Sequence, residues 1–426
     1  MCSLSFLVFI FKYMYHTSGQ NIQILWYLVL CLWYNKIMQP DNSDNFASML
    51  IDLKRMTKGN ISLTVESEPV FFAFTNKAVE DVVLNKYDSF HKSGGLKRLE
   101  YVLGEGLITS EEPKHMKNKR EISPAFNNNH MAEYEAKVSA VVESVISNWS
   151  GNVNVRTEMG FIVFKSILEI FFSESMDDDF EKIRSNINTA SYKISRNVED
   201  EELFRSKEEL RELSKTIVDK RLNSKETKND FLGIIVDSYN NNRMTLDELY
   251  DEAINMLLVG YETTSFALEW AVYYLAITKD WQEKISKGEN VDAFIDEVLR
   301  VRPPVWNEER VSIKDVNIDG TDIPSGTKVV VSALAIQRNK NVFEDPDLFK
   351  PERWFEKKEL GKGEYFPFLF GKRQCIGKEF ALMEMRIVLT KIAQRFYVEL
   401  GEPFETHTYT ISYRPSSAIK IFVTNK

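Results

Sequence analysis

Two short runs hold the residue types that can do chemistry in this 426-residue chain. The first is Phe368-Leu369-Phe370-Gly371-Lys372-Arg373-Gln374-Cys375-Ile376-Gly377, followed by an amphipathic helical pattern. Glycine permits close backbone approach and positive φ. A helix that begins just after a sulfur points free N–H groups at it and favours the thiolate. Such a loop presents one thiolate to a flat cofactor, with Arg373 beside it for an anionic group. A cysteine by itself is more often a buried hydrophobe than a ligand, so its neighbours decide the matter. The second run is Val259-Gly260-Tyr261-Glu262-Thr263-Thr264, an acid beside a hydroxyl in the middle of a long helical pattern. An interior glycine costs about 1 kcal/mol relative to alanine. Close helix packing or a flat ligand against Gly260 would justify it. A threonine that bonds back to a carbonyl opens the helix ladder locally, leaving a groove for water.

The first run matches Phe-x-x-Gly-x-Arg-x-Cys-x-Gly at Phe368, Gly371, Arg373, Cys375 and Gly377. It resembles the haem-binding signature of the cytochrome P450 family. That resemblance implies heme b (iron protoporphyrin IX) as cofactor and Cys375 as the axial iron ligand, its thiolate pushing electron density onto the metal. The second run resembles the family's Ala/Gly-Gly-x-Asp/Glu-Thr-Thr/Ser segment. It implies Gly260 against the haem, Thr263 as a catalytic residue ordering a water, and Glu262 relaying protons. Val259 departs from the usual Ala or Gly and is expected to narrow the pocket. Glu297 and Arg300, at i and i+3 on one helix face, and Phe349-Lys350-Pro351-Glu352-Arg353-Trp354 resemble a further pair of family segments. They imply a buried triad of Glu297, Arg300 and Arg353 that braces the Cys375 loop and takes no part in the chemistry. For the haem carboxylates the resemblance offers Arg373 and Arg310. It also offers His115 and Lys119, which stand where relatives carry Trp-x-x-x-Arg; the other reading of those two is an ordinary solvated basic helix.

The implied activity is that of a monooxygenase. One atom of O2 enters a small apolar organic substrate and the other leaves as water. Nothing in the sequence resembles a flavin- or nucleotide-binding domain, so the two electrons are expected from a separate reductase or ferredoxin. Lys372, Lys378 and Arg386 are candidates for its docking patch. An enzyme that uses peroxide and a haem sensor without turnover remain rivals; the intact Glu262–Thr263 pair favours oxygen activation. Substrate shape is expected to depend on Gly94–Leu107, Ser185–Glu202, the neighbourhood of Val305 and the C-terminal hairpin.

The elements that must position these residues read as mainly α with a small β part (α+β), in a single large domain spanning 41–426. Ser43–Lys58 reads as a helix. Ile61–Val65 and Val70–Thr75 read as a hairpin, and Ala78 to about Leu299 as mostly helical. Thr245 and Glu248 form a capping box that opens a helix running to about Thr278, some 50 Å long. After Pro303-Pro304 short strands follow over Val311–Ile318 and Lys328–Ala335, and a last strand pair is expected at Tyr409–Tyr413 and Ala418–Thr424. A net charge of −9 argues against a nucleic-acid binder, which would need a basic face. Three scattered cysteines, Cys2, Cys31 and Cys375, imply no disulfide framework and suit a reducing compartment. Residues 1–40 form an apolar extension with runs at Leu4–Ile10 and Ile22–Tyr34, each short of the ~20 residues of a spanning helix. Aromatic residues in the second suit a membrane interface. The expectation is membrane association with the catalytic domain facing the cytosol; the alternatives are a helix packed on the body of a soluble cytoplasmic protein, or a secretory-like leader.

Overall fold

The computed structural model describes residues 43–426 apart from 58, 66, 225, 357, 358 and 405. The 1–40 extension therefore lies outside the described residues. Helices of eight residues or more are α1 Ser43–Met56, α2 Lys114–Ile122, α3 Asn128–Ile146, α4 Val155–Ile167, α5 Phe180–Ser195 and α6 Glu201–Asn223. They continue with α7 Phe231–Asn240, α8 Leu246–Ile277, α9 Lys279–Ser286, α10 Val291–Val301 and α11 Lys378–Arg395. The expected capping box starts α8: Thr245 Oγ1 accepts from the Glu248 N–H at 3.2 Å, and Glu248 Oε2 accepts from the Thr245 N–H at 2.8 Å. At 32 residues α8 is the axis of the molecule, buried along most of its length and packed by α4, α6, α10 and α11. Its own Trp270 and, from its surroundings, Phe164, Phe171, Phe172, Phe231 and Phe294 all lie within the fully buried core. None of the helices among the described residues is long and apolar enough to cross a membrane.

The strands are β1 Ile61–Val65, β2 Glu68–Phe72, β3 Phe90–Lys92, β4 Gly151–Asn154, β5 Glu308–Ser312, β6 Val316–Ile318, β7 Thr321–Ile323 and β8 Lys328–Val331. The last are β9 Phe396–Leu400, β10 His407–Tyr409, β11 Tyr413–Pro415 and β12 Lys420–Asn425. The largest sheet has the order β1-β2-β8-β5-β3, with only β2 and β8 parallel. The stretch from Ala78 to about Leu299 is mostly helical, as expected, and the two strands within it, β3 and β4, are too short to show a period of two. Two expectations need correction. Ala333–Ile336 forms a helical turn, capped by Ser332, instead of continuing β8. Tyr409 and Tyr413 face each other within one hairpin, whereas β12 pairs with β4 and β9 in a separate sheet. Strand partners are long-range choices that local alternation cannot decide.

Candidate functional site

The Cys375 loop is shaped by its own backbone. Leu369 and Gly371 take positive φ of 55° and 72°. A Cβ on Gly371 would meet Leu84 Cδ1 at 3.0 Å. The Cys375 N–H closes the loop onto Phe368 O at 2.9 Å, and α11 starts three residues later, with Gly377 as its N-cap. The Gly377 N–H points at the Cys375 sulfur, as the position of the helix start requires. The side chain of Cys375 is accessible, yet burial pushes its thiol pKa up, against the pull of Gly377, Lys119 and Lys378. The two observations agree because the sulfur opens into an internal cavity and not onto bulk water.

That cavity has a volume of about 980 Å3, near the upper end of the roughly 300–1,000 Å3 usual for ligand pockets. Phe368, Arg373, Cys375 and Gly377 line it, and so do Val259, Gly260, Glu262 and Thr263 of α8. Gly371 does not; its part is the turn. Thr263 Oγ1 donates to Val259 O at 2.9 Å, the back-bond expected from the sequence. Glu262 is buried and accepts from Ser191 Oγ of α5 at 2.6 Å. Burial raises its pKa, with Ser191, Arg414 and Ser412 pulling the other way. Gly260 satisfies both readings offered for it: it lines the cavity, and a Cβ there would lie 3.1 Å from Ile167 Cδ1 of α4.

Cations gather at one edge of the cavity. Arg373 donates to Ser110 O and to Glu111 Oε2, both at 2.9 Å. Arg310 pairs with Glu308. His115 is buried, with Nδ1 3.2 Å from Glu112 Oε1. Lys92, which the sequence reading missed, faces Arg310 across the β3–β5 ladder and reaches Ser110 O at 2.5 Å. Burial and the neighbouring Arg373 lower the Lys92 pKa to about 7. Burial, Arg373 and Lys92 lower that of His115 to about 3. Arg373, Arg310 and Lys92, crowded so closely, favour an anionic ligand that would relieve their repulsion. Lys119 lines the cavity too, and its ammonium holds Lys372 O at 2.6 Å and Gln374 O at 3.2 Å, so it also braces the cysteine loop.

Behind the loop stands the acid–arginine cluster. Arg300 donates to Glu297 from Nε and Nη2, both at 2.8 Å, and both residues are fully buried. Arg353 Nε reaches Glu297 Oε1 at 3.0 Å. Arg300 also holds Gln337 O at 2.9 Å, and Gln337 Oε1 accepts from the Phe366 N–H at 3.0 Å. Phe366 O in turn takes the Leu369 N–H at 3.0 Å, which carries the brace into the cysteine loop. The four regions expected to shape substrate all contribute lining, through Leu96 and Leu107, Asn197, Val305 and Ile411.

A long central helix and a cysteine loop sharing one cavity, in a mainly α fold, define a class that comparison with known proteins makes explicit. The chain belongs to the cytochrome P450 family, whose model matches residues 22–416. It is 27% identical over 386 residues to a probable cytochrome P450 4e1 of Drosophila melanogaster, covering 76% of this chain and 72% of that one. It is 25% identical over 365 residues to the cyclooctat-9-en-7-ol 5-monooxygenase of Streptomyces melanosporofaciens, covering 76% and 79%. The fold is shared with the crystal structure of CYP175A1 from Thermus thermophillus, at a TM-score of 0.78 and 21% identity over 92% of this chain and 97% of that one. It is also shared with the retinoic acid-bound cyanobacterial CYP120A1, at 0.80 and 21% over 88% and 93%. The protein is accordingly an oxygen-incorporating oxidoreductase that uses haem b, O2, an organic substrate and electrons from a redox partner. The residues present fit that cofactor: a thiol open to the cavity, a glycine on the facing helix and a cluster of cations for its carboxylates.

Proposed function

We propose that Cys375 is the axial ligand of the haem iron and that this chain hydroxylates an apolar organic substrate, with electrons from a separate reductase or ferredoxin. The observation that carries this reading is the shared cavity, onto which the Cys375 sulfur and the Glu262–Thr263 pair both open. When bound, the haem supplies O2 activation, and a coordinating metal deprotonates a thiol that burial alone would keep protonated. Arg373, Arg310, Lys92 and His115 would hold the haem carboxylates, and Lys119, Glu297, Arg300 and Arg353 would keep the ligand loop in place. The Thr263 hydroxyl spends its proton on Val259 O, so its oxygen is free to accept from a water in the cavity. Burial raises the Glu262 pKa, and its carboxyl, held by Ser191 Oγ at 2.6 Å, would relay protons inward from the Ser191 side. Leu107, Ile108, Val259, Val305 and Ile411 make the substrate end apolar and limit its width.

The test is the carbon monoxide difference spectrum of the dithionite-reduced protein, beside that of Cys375→His. A strongly red-shifted Soret band in the wild type and its absence in the variant is the expected result. A histidine-type spectrum in the wild type would move the ligand elsewhere. Glu262→Gln should then keep the band and lower product formed per electron by roughly 100-fold, the usual scale of a lost general acid. For the electron donor, we propose docking at Lys372, Lys378 and Arg386; reversing the first two should slow reduction at low salt, and an unchanged rate would remove them from the interface. Residues 1–40 are proposed to lie on a membrane interface. Flotation of full-length protein with vesicles, lost on their deletion, is the result expected.

A further inference from the structure

The segment 104–110, between the helical turn Glu100–Leu103 and α2, has no strand or helix partner for its backbone amides at Glu105, Leu107 and Ile108. Side chains of α8 take their place. The Glu105 N–H donates to Asp251 Oδ2 at 2.9 Å, the Leu107 N–H to Glu252 Oε2 at 3.1 Å and the Ile108 N–H to Asn255 Oδ1 at 3.3 Å. Asn255 Nδ2 answers by donating to Leu103 O at 2.9 Å. The second oxygen of Glu252 takes Asn118 Nδ2 of α2 at 2.7 Å, and Asp251 is further held by Arg211 of α6. Asp251, Glu252 and Asn255 are all buried.

Contact is close enough to need two glycines. A Cβ on Gly104, which has φ +64°, would come within 2.2 Å of Asp251 Oδ1. One on Gly106 would come within 2.3 Å of Asn255 Nδ2. On its other side the same segment presents Leu107 and Ile108 to the cavity. Its end, Ser110 O, receives Arg373 at 2.9 Å and Lys92 at 2.5 Å. Thr109 Oγ1 bonds back to Gly104 O at 2.6 Å and closes the turn.

We propose that Asp251, Glu252 and Asn255 form a clamp that fixes segment 104–110 as a rigid wall of the substrate cavity, and so determine which substrates fit and where they are oxidised. They are positioning residues: Asp251 acts through the segment that carries Leu107 and Ile108, while Glu252 and Asn255 hold that segment and also line the cavity themselves. The clamp ties that wall to the helix bearing Glu262 and Thr263, and through Ser110 to the cations at the cavity edge. This effect on specificity rests on the cavity being the haem and substrate site.

The experiment uses the haem-loaded full chain and two variants, Glu252→Gln and Asn255→Ala, with Gly106→Ala as a steric counterpart. Amide hydrogen exchange reads the clamp without turnover. Exchange across 105–108 should rise about tenfold in each variant, while segments of α3 and α11 stay unchanged. Spectral titration with 4-phenylimidazole should show several-fold weaker binding, and the product pattern from a panel of terpenes should broaden, at an unaltered carbon monoxide spectrum. Glu252→Gln is isosteric and keeps one acceptor, so it tests the idea even if Asn255→Ala folds poorly. Wild-type exchange rates across 105–108 in Glu252→Gln and Gly106→Ala would overturn the clamp. Faster exchange with unchanged phenylimidazole affinity and products would overturn its role in specificity. Absence of the red-shifted band in the wild type would instead strike the haem-thiolate reading, since exchange reports the clamp independently.

Discussion

Glu297 on α10 and Glu384 on α11 are both fully buried glutamates on helices that pack together, and their surroundings could hardly differ more. Glu297 accepts two bonds from Arg300, one from Arg353, one from the Lys350 N–H at 2.8 Å and one from Trp354 Nε1 at 3.0 Å. Glu384 has no hydrogen-bond partner at either oxygen, and nearby Ser166 Oγ stops short of bonding geometry. Burial therefore pushes the Glu384 pKa up to about 8, with only Ser166 opposing. A buried carboxyl survives in one of two ways: as an anion whose lone pairs are all engaged, or as a neutral acid. Glu297 takes the first course and gains a fixed geometry around the cysteine loop. Glu384 takes the second, and lines the cavity with neither oxygen bonded.

The largest effect should come from breaking the paired site. Glu297→Gln leaves the Arg300 guanidinium buried without its counter-charge, a loss of about 3–5 kcal/mol. Denaturant unfolding of the haem-loaded protein should show it, together with weaker haem retention. A loss under 1 kcal/mol would mean that the carbonyls of Gln337, Pro346 and Leu348 suffice for Arg300. Glu384→Gln should act in the opposite direction and only at higher pH. Below the ordinary glutamate value of 4.5 both folded and unfolded states carry the proton, so stability there is undiminished. As pH rises from 4.5 toward 8 the unfolded chain ionises while the native side chain does not, and stability falls; above about 8 the loss levels off. The variant removes that slope and should be more stable than wild type at pH 8, on the order of 1–3 kcal/mol, and equal to it at pH 4. Identical pH profiles for the two proteins would show that Glu384 is ionised in the fold.

The same contrast separates what the sequence makes legible from what it does not. Cys375 and its loop are contiguous, and Glu297 and Arg300 are one helical turn apart, so fixed spacings reveal them. The α8 helix is announced by Thr245 and Glu248, neighbours on the same turn. Lys92 escapes because a three-residue strand has no period, and its partner Arg310 lies far along the chain. Asp251, Glu252 and Asn255 escape for another reason. On a helix they read as a polar face, and only the approach of Gly104 and Gly106 shows that the face is covered. Arg211 sits on the highly charged helix α6, yet it reaches over to Asp251. Local order is written locally; the partners of a buried polar group are set by topology.

Arg353 sharpens the comparison from the exposed side, and its effect should be the smallest. Its side chain is 12% accessible, whereas that of Arg300 is wholly enclosed. Besides Glu297 it reaches Glu344 O at 2.9 Å from Nη1. Arg353→Lys keeps the charge, so Glu297 is not stranded, but an ammonium cannot span the carboxylate and the carbonyl as the guanidinium fork does. Water at the accessible edge can satisfy whichever acceptor is left over. The expected cost is about 1 kcal/mol, one hydrogen bond's net worth, with the carbon monoxide spectrum unchanged. A cost as large as that of Glu297→Gln would place Arg353 beside Arg300 as an equal partner in the buried charge balance. No cost at all would leave Arg300 and the Lys350 and Trp354 donors as the whole of the brace.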